Sequence, residues 1–206
     1  MKRAWAACVL FVAGTALAAT PAAPRRGDAT AGRAKADDER CIECHVPTDP
    51  ATAQPGDGLH PLLEGQSPGY LAKQMRDFRS GAREHAVMTL IARNLDDGDL
   101  ADILAWYATK PWRAGASGAA EHLYLEGDPA RGIAPCAACH GGAGQRPATP
   151  ETPRLAGQDA AYLAAQLARW RSGDRHNGPD GTMAAATLAL SDAEIQALAR
   201  GIASMN

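Results

Sequence analysis

One pentapeptide occurs twice in this 206-residue chain, as Cys41-Ile42-Glu43-Cys44-His45 and as Cys136-Ala137-Ala138-Cys139-His140. The spacing C-x-x-C-H reads as a haem c attachment site. The two thiols form thioethers to the porphyrin, and the histidine that follows is brought to the iron as an axial ligand. C-x-x-C alone also serves structural zinc and thiol redox chemistry, and the cysteine count separates these readings. Of five cysteines, four lie in the motifs and the fifth, Cys8, belongs to an N-terminal leader, so no thiol remains for a disulfide framework or for more zinc ligands. A zinc site has no need of a histidine directly after each pair. Two covalently attached haem c groups are therefore expected, on Cys41 and Cys44 in one half and on Cys136 and Cys139 in the other.

The match between the halves runs well past the cysteines, which marks an internal duplication. At an offset of 92, Pro61-Leu62-Leu63-Glu64-Gly65-Gln66 meets Pro153-Arg154-Leu155-Ala156-Gly157-Gln158, so both read P-x-L-x-G-Q. The same offset pairs Tyr70 with Tyr162, Gln74 with Gln166, Phe78 with Trp170 and Arg83 with Arg175. The offset then returns to the 95 of the cysteines and pairs Met88 with Met183, each 43 residues after its motif histidine. Leu71, Met75 and Phe78 fall at helical spacing, as do Leu163, Leu167 and Trp170. Leu100, Ile103, Leu104 and Tyr107 are matched by Ile195, Leu198, Ala199 and Ile202, with Ser191 and Glu194 placed for a capping box. Gly27-Asp28 and Gly127-Asp128 each open an Ala-rich stretch read as a short helix leading into a motif. No alternating strand pattern stands out, and the fold class expected is all-α.

The N-terminus reads as a secretory signal peptide over residues 1–18: Lys2 and Arg3, an apolar run over 4–16, and the cleavage site Ala16-Leu17-Ala18. That apolar run is shorter than the ~20 residues of a bilayer span, and no later run approaches that length. Removal of the leader leaves 19 basic against 23 acidic side chains. Residues 19–110 hold 11 basic and 14 acidic groups and residues 111–206 hold 8 and 9, so neither half is a nucleic-acid surface. The expected organisation is one haem domain over 19–109, a Pro-, Gly- and Ala-rich linker over 110–126, and a second haem domain over 127–206.

A short helix, C-x-x-C-H, P-x-L-x-G-Q, a helix with Tyr and an aromatic, a Met-bearing loop and a closing helix together resemble a class I cytochrome c domain. The tandem order, and G-Q-x-x-x-Y-L-x-x-Q above all, resembles the dihaem cytochrome c4 family over essentially the whole chain after the leader. The first copy departs at Val46, where the second has Gly141, and in five extra residues between Gly32 and Cys41 relative to Gly132 and Cys136.

His45 and His140 are the proximal ligands expected from the motif, and Met88 and Met183 the distal ones. A thioether is a soft neutral donor that favours ferrous iron, and duplication argues against reading either Met as mere packing. Met75 aligns with Leu167 and is read as core, Met205 as part of the terminus, and His60, His85, His122 and His176 as residues outside the sites. The resemblance implies that the Pro61 and Pro153 carbonyls accept the proximal histidines' other N–H, though both also read as turn prolines. Tyr70, Tyr162, Arg83 and Arg175 reach either haem propionates or the interdomain surface, or simply pack.

The resemblance implies electron transfer between periplasmic respiratory partners, towards an acceptor such as a terminal oxidase, through two domains joined by a polar pseudo-twofold interface. The expected partners are redox proteins, with peripheral membrane association compatible with the sequence and no transmembrane segment. A cytochrome subunit of a periplasmic dehydrogenase complex is the alternative. A dihaem peroxidase would need an acid/base residue over an open iron, and no residue fits that role.

Overall fold

The computed structural model describes residues 26–45, 60–112 and 122–205. The expected signal peptide, Val46 and the middle of the expected linker lie outside them. Among the described residues there is no strand, only an isolated bridge between Asp128 and Ile133. The first half contains α1 (Ala29–Asp38), α2 (Cys41–Cys44), α3 (Pro68–Ser80), α4 (Ala86–Asn94) and α5 (Asp97–Ala108). The second contains α6 (His122–Glu126), α7 (Ala137–His140), α8 (Ala160–Ser172), α9 (Thr182–Thr187) and α10 (Asp192–Ser204).

Local chemistry sets the boundaries of the long helices. Ser67 caps α3 with Pro68 in its first turn, and Asp159 caps α8 through the Tyr162 amide at 2.8 Å. Both helices stop at glycines with φ near +80°, Gly81 and Gly173, a conformation that other residues adopt at a cost. In α10 the Ser191 hydroxyl and the Glu194 carboxylate close the capping box expected from sequence.

Each half has its own apolar cluster. In the first, Leu71, Met75 and Phe78 of α3 meet Leu100, Ile103 and Tyr107 of α5. In the second, Leu163 of α8 meets Ile195, Leu198 and Ile202 of α10. Full burial of such side chains stabilises by about 1.5–3 kcal/mol each. Helix α1 lies against α5 so closely that a Cβ on Gly32 would stand 1.9 Å from the Asp102 carbonyl oxygen. Asp102 is buried there, accepting from the Asp28 amide at 2.7 Å and from Lys35 Nζ at 2.5 Å.

The second half departs from the first at its start. The Ala-rich helix expected after Gly127-Asp128 is only a 3₁₀ turn over Pro129–Arg131, because Gly132, at φ 72°, ends it. The stretch read as linker is helical over its last five residues: α6 buries Tyr124 completely in the second cluster, and the Tyr124 hydroxyl donates to the Gly141 carbonyl at 2.7 Å. Isolated in sequence, five residues carry too little periodicity to show this. Met205, read as part of the terminus, is likewise buried in the second cluster at 1% exposure.

The halves meet through polar side chains of α3, α8 and the loops that follow them, and equivalent residues make equivalent contacts. The Arg83 guanidinium donates to Gln74 at 2.7 Å, and across the interface to the Tyr162 hydroxyl at 3.0 Å and Gln166 at 3.1 Å. Arg175 donates to Gln166 at 2.8 Å, and across to Gln74 at 3.2 Å and Tyr70 at 3.4 Å. Each guanidinium also lies 4.7 Å from the ring centroid of its own half's aromatic, Phe78 or Trp170. Of the readings left open for these residues, the interdomain one describes their contacts.

Candidate haem sites

His45 follows α2 directly, and its ring is buried with Nδ1 2.8 Å from the Pro61 carbonyl oxygen. His140 closes α7 and is equally buried, with Nδ1 3.0 Å from the Pro153 carbonyl oxygen. A carbonyl only accepts, so Nδ1 carries the proton in both rings. That leaves the Nε2 lone pair for a metal. Burial pushes both imidazoles below the ordinary histidine value, against the opposing effect of the carbonyl hydrogen bond, so both rings stay neutral and ligand-ready.

The thiols are free and graded in exposure. Cys41 and Cys136 are half-buried against their clusters, while Cys44 and Cys139 are exposed. Burial raises the Cys41 and Cys136 thiol pKa values. These residues fit haem c on the structure's own terms. Two free thiols of unequal burial precede a neutral histidine, and in the first half the Tyr107 hydroxyl is buried beside Cys41 with no hydrogen-bond partner among the described residues. When bound, haem c supplies an iron that changes charge by one electron, and the protein holds it by thioethers and axial ligands.

Met88 is the third residue of α4 and packs partly buried against the first cluster; Met183 is the second residue of α9 and is half-buried. Met75 is in the core, as read from its alignment with Leu167. Two histidines read as lying outside the sites have definite places near the first one. His85 is half-buried and caps α4, its Nδ1 accepting from the Met88 amide at 3.3 Å, and the exposed His60 ring stands edge-on to His45 with centroids 6.1 Å apart. His176 is exposed, and His122 pairs with Glu126 at 3.1 Å.

Sequence reasoning found the repeated glutamines but missed their role at the interface. Gln66, Gln74 and Gln158 are each at most 6% exposed and bond across the interface. Asn177 joins them, donating to Gln74 at 3.0 Å and to Asp77 at 2.6 Å. For Gln74 the signal was present: a carboxamide repeated among the apolar residues of both amphipathic helices, as Gln74 and Gln166, demands a buried partner.

The sequence model of the cytochrome c family, "Cytochrome c", matches residues 133–206. A cytochrome c4 of Thiocapsa roseopersicina is 39% identical over 187 residues, covering 87% of this chain and 93% of its own. The chain belongs to the cytochrome c4 family. A second relative, the thiosulfate dehydrogenase electron acceptor of Stutzerimonas stutzeri, is 40% identical over 173 residues, covering 80% of this chain and 78% of that protein. In structure, the reduced cytochrome c4 of Pseudomonas stutzeri superposes with a TM-score of 0.73 at 30% identity, over 87% of this chain and 100% of its own. The chain is accordingly an electron-transfer cytochrome of all-α class I fold that carries two haem c groups, as its motifs imply.

Proposed function

We propose that each half is an independent His/Met haem domain and that the protein is an exported carrier moving electrons between periplasmic redox proteins, towards a terminal oxidase or a comparable acceptor. The first domain spans residues 19–109. The second begins at α6, with residues 110–121 as the connection. Haem c is held by Cys41 and Cys44 in one domain and by Cys136 and Cys139 in the other, with His45 and Met88, and His140 and Met183, as axial ligands. The observation that carries this reading is the identical construction of the two proximal sites, each a buried neutral histidine whose Nδ1–H is fixed by a proline carbonyl.

The residues do three things in this mechanism. The proline carbonyls hold the imidazoles in one tautomer and one orientation, and make Nε2 a stronger donor. Met88 and Met183 would each supply a second protein ligand to a bound haem iron, which would leave no position for substrate and suit the site to outer-sphere electron transfer. Arg83 and Arg175, with Lys73 between the halves, bring three cations to the interface; Lys73 bonds the Asp77 carboxylate and the Asn177 carbonyl, and Asn177 donates to the same carboxylate. That positive potential would favour the reduced state of a redox centre held in either half. Among the described residues no helix is long and apolar enough to cross a membrane.

A pyridine haemochrome assay is expected to return two haems per chain. Carbon monoxide is expected to bind the reduced protein slowly if at all, while an acceptor protein oxidises it fast and with ionic-strength dependence. Rapid stoichiometric carbon monoxide binding with peroxide turnover would show an open iron and an enzyme. The similarity to a thiosulfate dehydrogenase electron acceptor favours a second reading, in which the chain serves one dehydrogenase as its dedicated acceptor. Co-purification with a dehydrogenase from the native source distinguishes that case from a free carrier.

A further inference from the structure

The two peptide groups that fix the proximal histidines are themselves gripped from the opposite half. The Pro61 carbonyl that accepts from His45 belongs to the same planar amide as the Leu62 N–H. That N–H donates to the Gln158 side-chain oxygen at 2.8 Å, and Gln158 returns a bond from its Nε2 to the Leu62 carbonyl at 3.0 Å. The arrangement is repeated with the halves exchanged. The Pro153 carbonyl accepts from His140, the Arg154 N–H of the same amide donates to Gln66 Oε1 at 2.9 Å, and Gln66 Nε2 returns to the Arg154 carbonyl at 2.9 Å. Both glutamines are nearly fully buried, at 3% and 4% exposure. Neither side chain is free to wander. Each Oε1 also accepts the next residue's amide in its own chain, Ser67 for Gln66 at 2.9 Å and Asp159 for Gln158 at 3.0 Å.

We propose that Gln158 and Gln66 are positioning residues that act in trans, Gln158 on the histidine of the first haem and Gln66 on the histidine of the second. The inference rests on the assignment of His45 and His140 as proximal ligands. An amide whose N–H is engaged has a more negative carbonyl oxygen, because hydrogen bonds in a chain polarise one another, by about 10–30% per bond. A more negative oxygen draws the histidine Nδ1 proton harder and gives the imidazole more anionic character, which favours ferric iron. The glutamine of one domain therefore lowers the reduction potential of the other domain's haem, and it holds the plane of that haem's histidine. Docking of the two halves is thus part of how each iron is tuned.

The test uses the full dihaem holoprotein. The two haems are assigned by the loss of one methionine methyl resonance in Met88→Ala and of the other in Met183→Ala, and each potential is followed by NMR-monitored redox titration. Gln158→Leu keeps the volume and removes the acceptor. At a fixed poise it is expected to raise the reduced-to-oxidised ratio of the first haem about twofold, which at 59 mV per tenfold is an upward shift of about 20 mV. The hyperfine-shifted ring signals of His45 move with it, while the second haem stays in place. Gln66→Leu is expected to do the reverse. Gln158→Glu keeps an acceptor for the Leu62 N–H and is expected to leave the first potential at or below its native value, which loss of structure at the interface would not do. Asn177→Ala weakens the same interface without touching either amide and is expected to shift neither haem selectively. A shift confined to the variant's own domain, or shared equally by both haems, overturns the proposal. If His45→Ala leaves the first haem's axial ring signals intact, the ligand assignment fails instead, and the two failures are thereby distinct.

Discussion

The His85 ring holds the start of the helix that carries Met88, its Nδ1 accepting the Met88 amide at 3.3 Å while the Thr89 hydroxyl accepts the His85 amide at 3.2 Å. The duplicated position has neither part of this clamp. Asp180 and Ala184 stand where His85 and Thr89 stand in the first copy, and α9 begins after Gly181 with no side-chain cap. Asp180 is moreover left-handed, at φ 50°, a conformation strained for a residue with a Cβ. Met183 therefore rides on a shorter and less secured turn than Met88.

An N-cap contributes about 1 kcal/mol, close to a fivefold change in the population of an opened turn. Imidazole titration of the oxidised protein is expected to displace methionine from the second haem first. His85→Ala is expected to bring the first haem about fivefold closer to it, and His85→Asn, another capping residue, to restore the difference. Asp180→Gly relieves the left-handed residue and is expected to slow displacement at the second haem alone. The methionine-to-iron absorption band and the two methyl resonances report each site. Equal affinities in the native protein would remove the asymmetry.

Arg175 is 7% exposed, and its guanidinium touches both halves, through Gln166 of its own and Gln74 and Tyr70 of the other. Burial alone would raise the Tyr70 phenol, but the charges of Arg175 and Arg83 outweigh it and pull its pKa down. The same charges act on any redox centre nearby. Arg175→Gln is expected to lower both reduction potentials, because a buried cation stabilises the reduced and less positive iron. Potentiometry separates this two-sided fall from the one-sided rise expected of Gln158→Leu. An unchanged pair of potentials would place the interface too far from both irons to matter.

The duplicated motif made the all-α fold class, the buried placement of His45 and His140 and the closing helix of each half legible, because those features are local: a pentapeptide, a period of 3.6, a capping box. Most of the residues that sequence reading placed wrongly or passed over depend on contacts distant in the chain; His85 is the local exception. Tyr124 looked like linker because five residues show no period, yet α7 and α10 are built around it. His85 reads as lying outside the sites because a histidine is an uncommon cap. Gln66 and Gln158 were noticed as a motif, but their partners lie 88 and 96 residues away, a pairing that no single-chain pattern announces.

Gly32 sits where α1 crosses α5, and an added methyl would meet the Asp102 carbonyl oxygen at 1.9 Å and the Trp106 Cβ at 2.9 Å. Neither neighbour is the far end of a flexible side chain. Gly32→Ala is expected to destabilise the first domain by about 3 kcal/mol or more, since the two helices must separate to admit it. Its duplicate, Gly132, has open space around it but a φ of 72°, so Gly132→Ala is expected to cost about 1 kcal/mol, from backbone strain alone. Thermal unfolding followed at each haem's Soret band would show the first change in one domain and little in the other. Similar melting shifts for both variants would contradict the close approach of α1 and α5.

The start of α10 offers a prediction with a definite pH sign. Hydrogen bonds from Arg131, and then from Ser191, pull the Glu194 carboxyl down to about 2, while Arg131 also bonds Asp128 in the turn before the second haem motif. A carboxyl held lower in the folded chain than in the unfolded one stabilises the fold when ionised. Its contribution is complete above the ordinary value of 4.5 and is lost as pH falls from there towards 2. All of these groups are solvent-exposed, so the effect is modest and weakens with salt. Glu194→Gln is expected to flatten the stability of the second domain between pH 4.5 and 2 and to leave the first domain's acid profile unchanged. Denaturant unfolding at stepped pH, read separately at the two haems in low and high salt, checks it. An equal flattening in both domains, or none at low salt, would mean that the Arg131–Glu194 pair does not secure α10 to the turn ahead of His140.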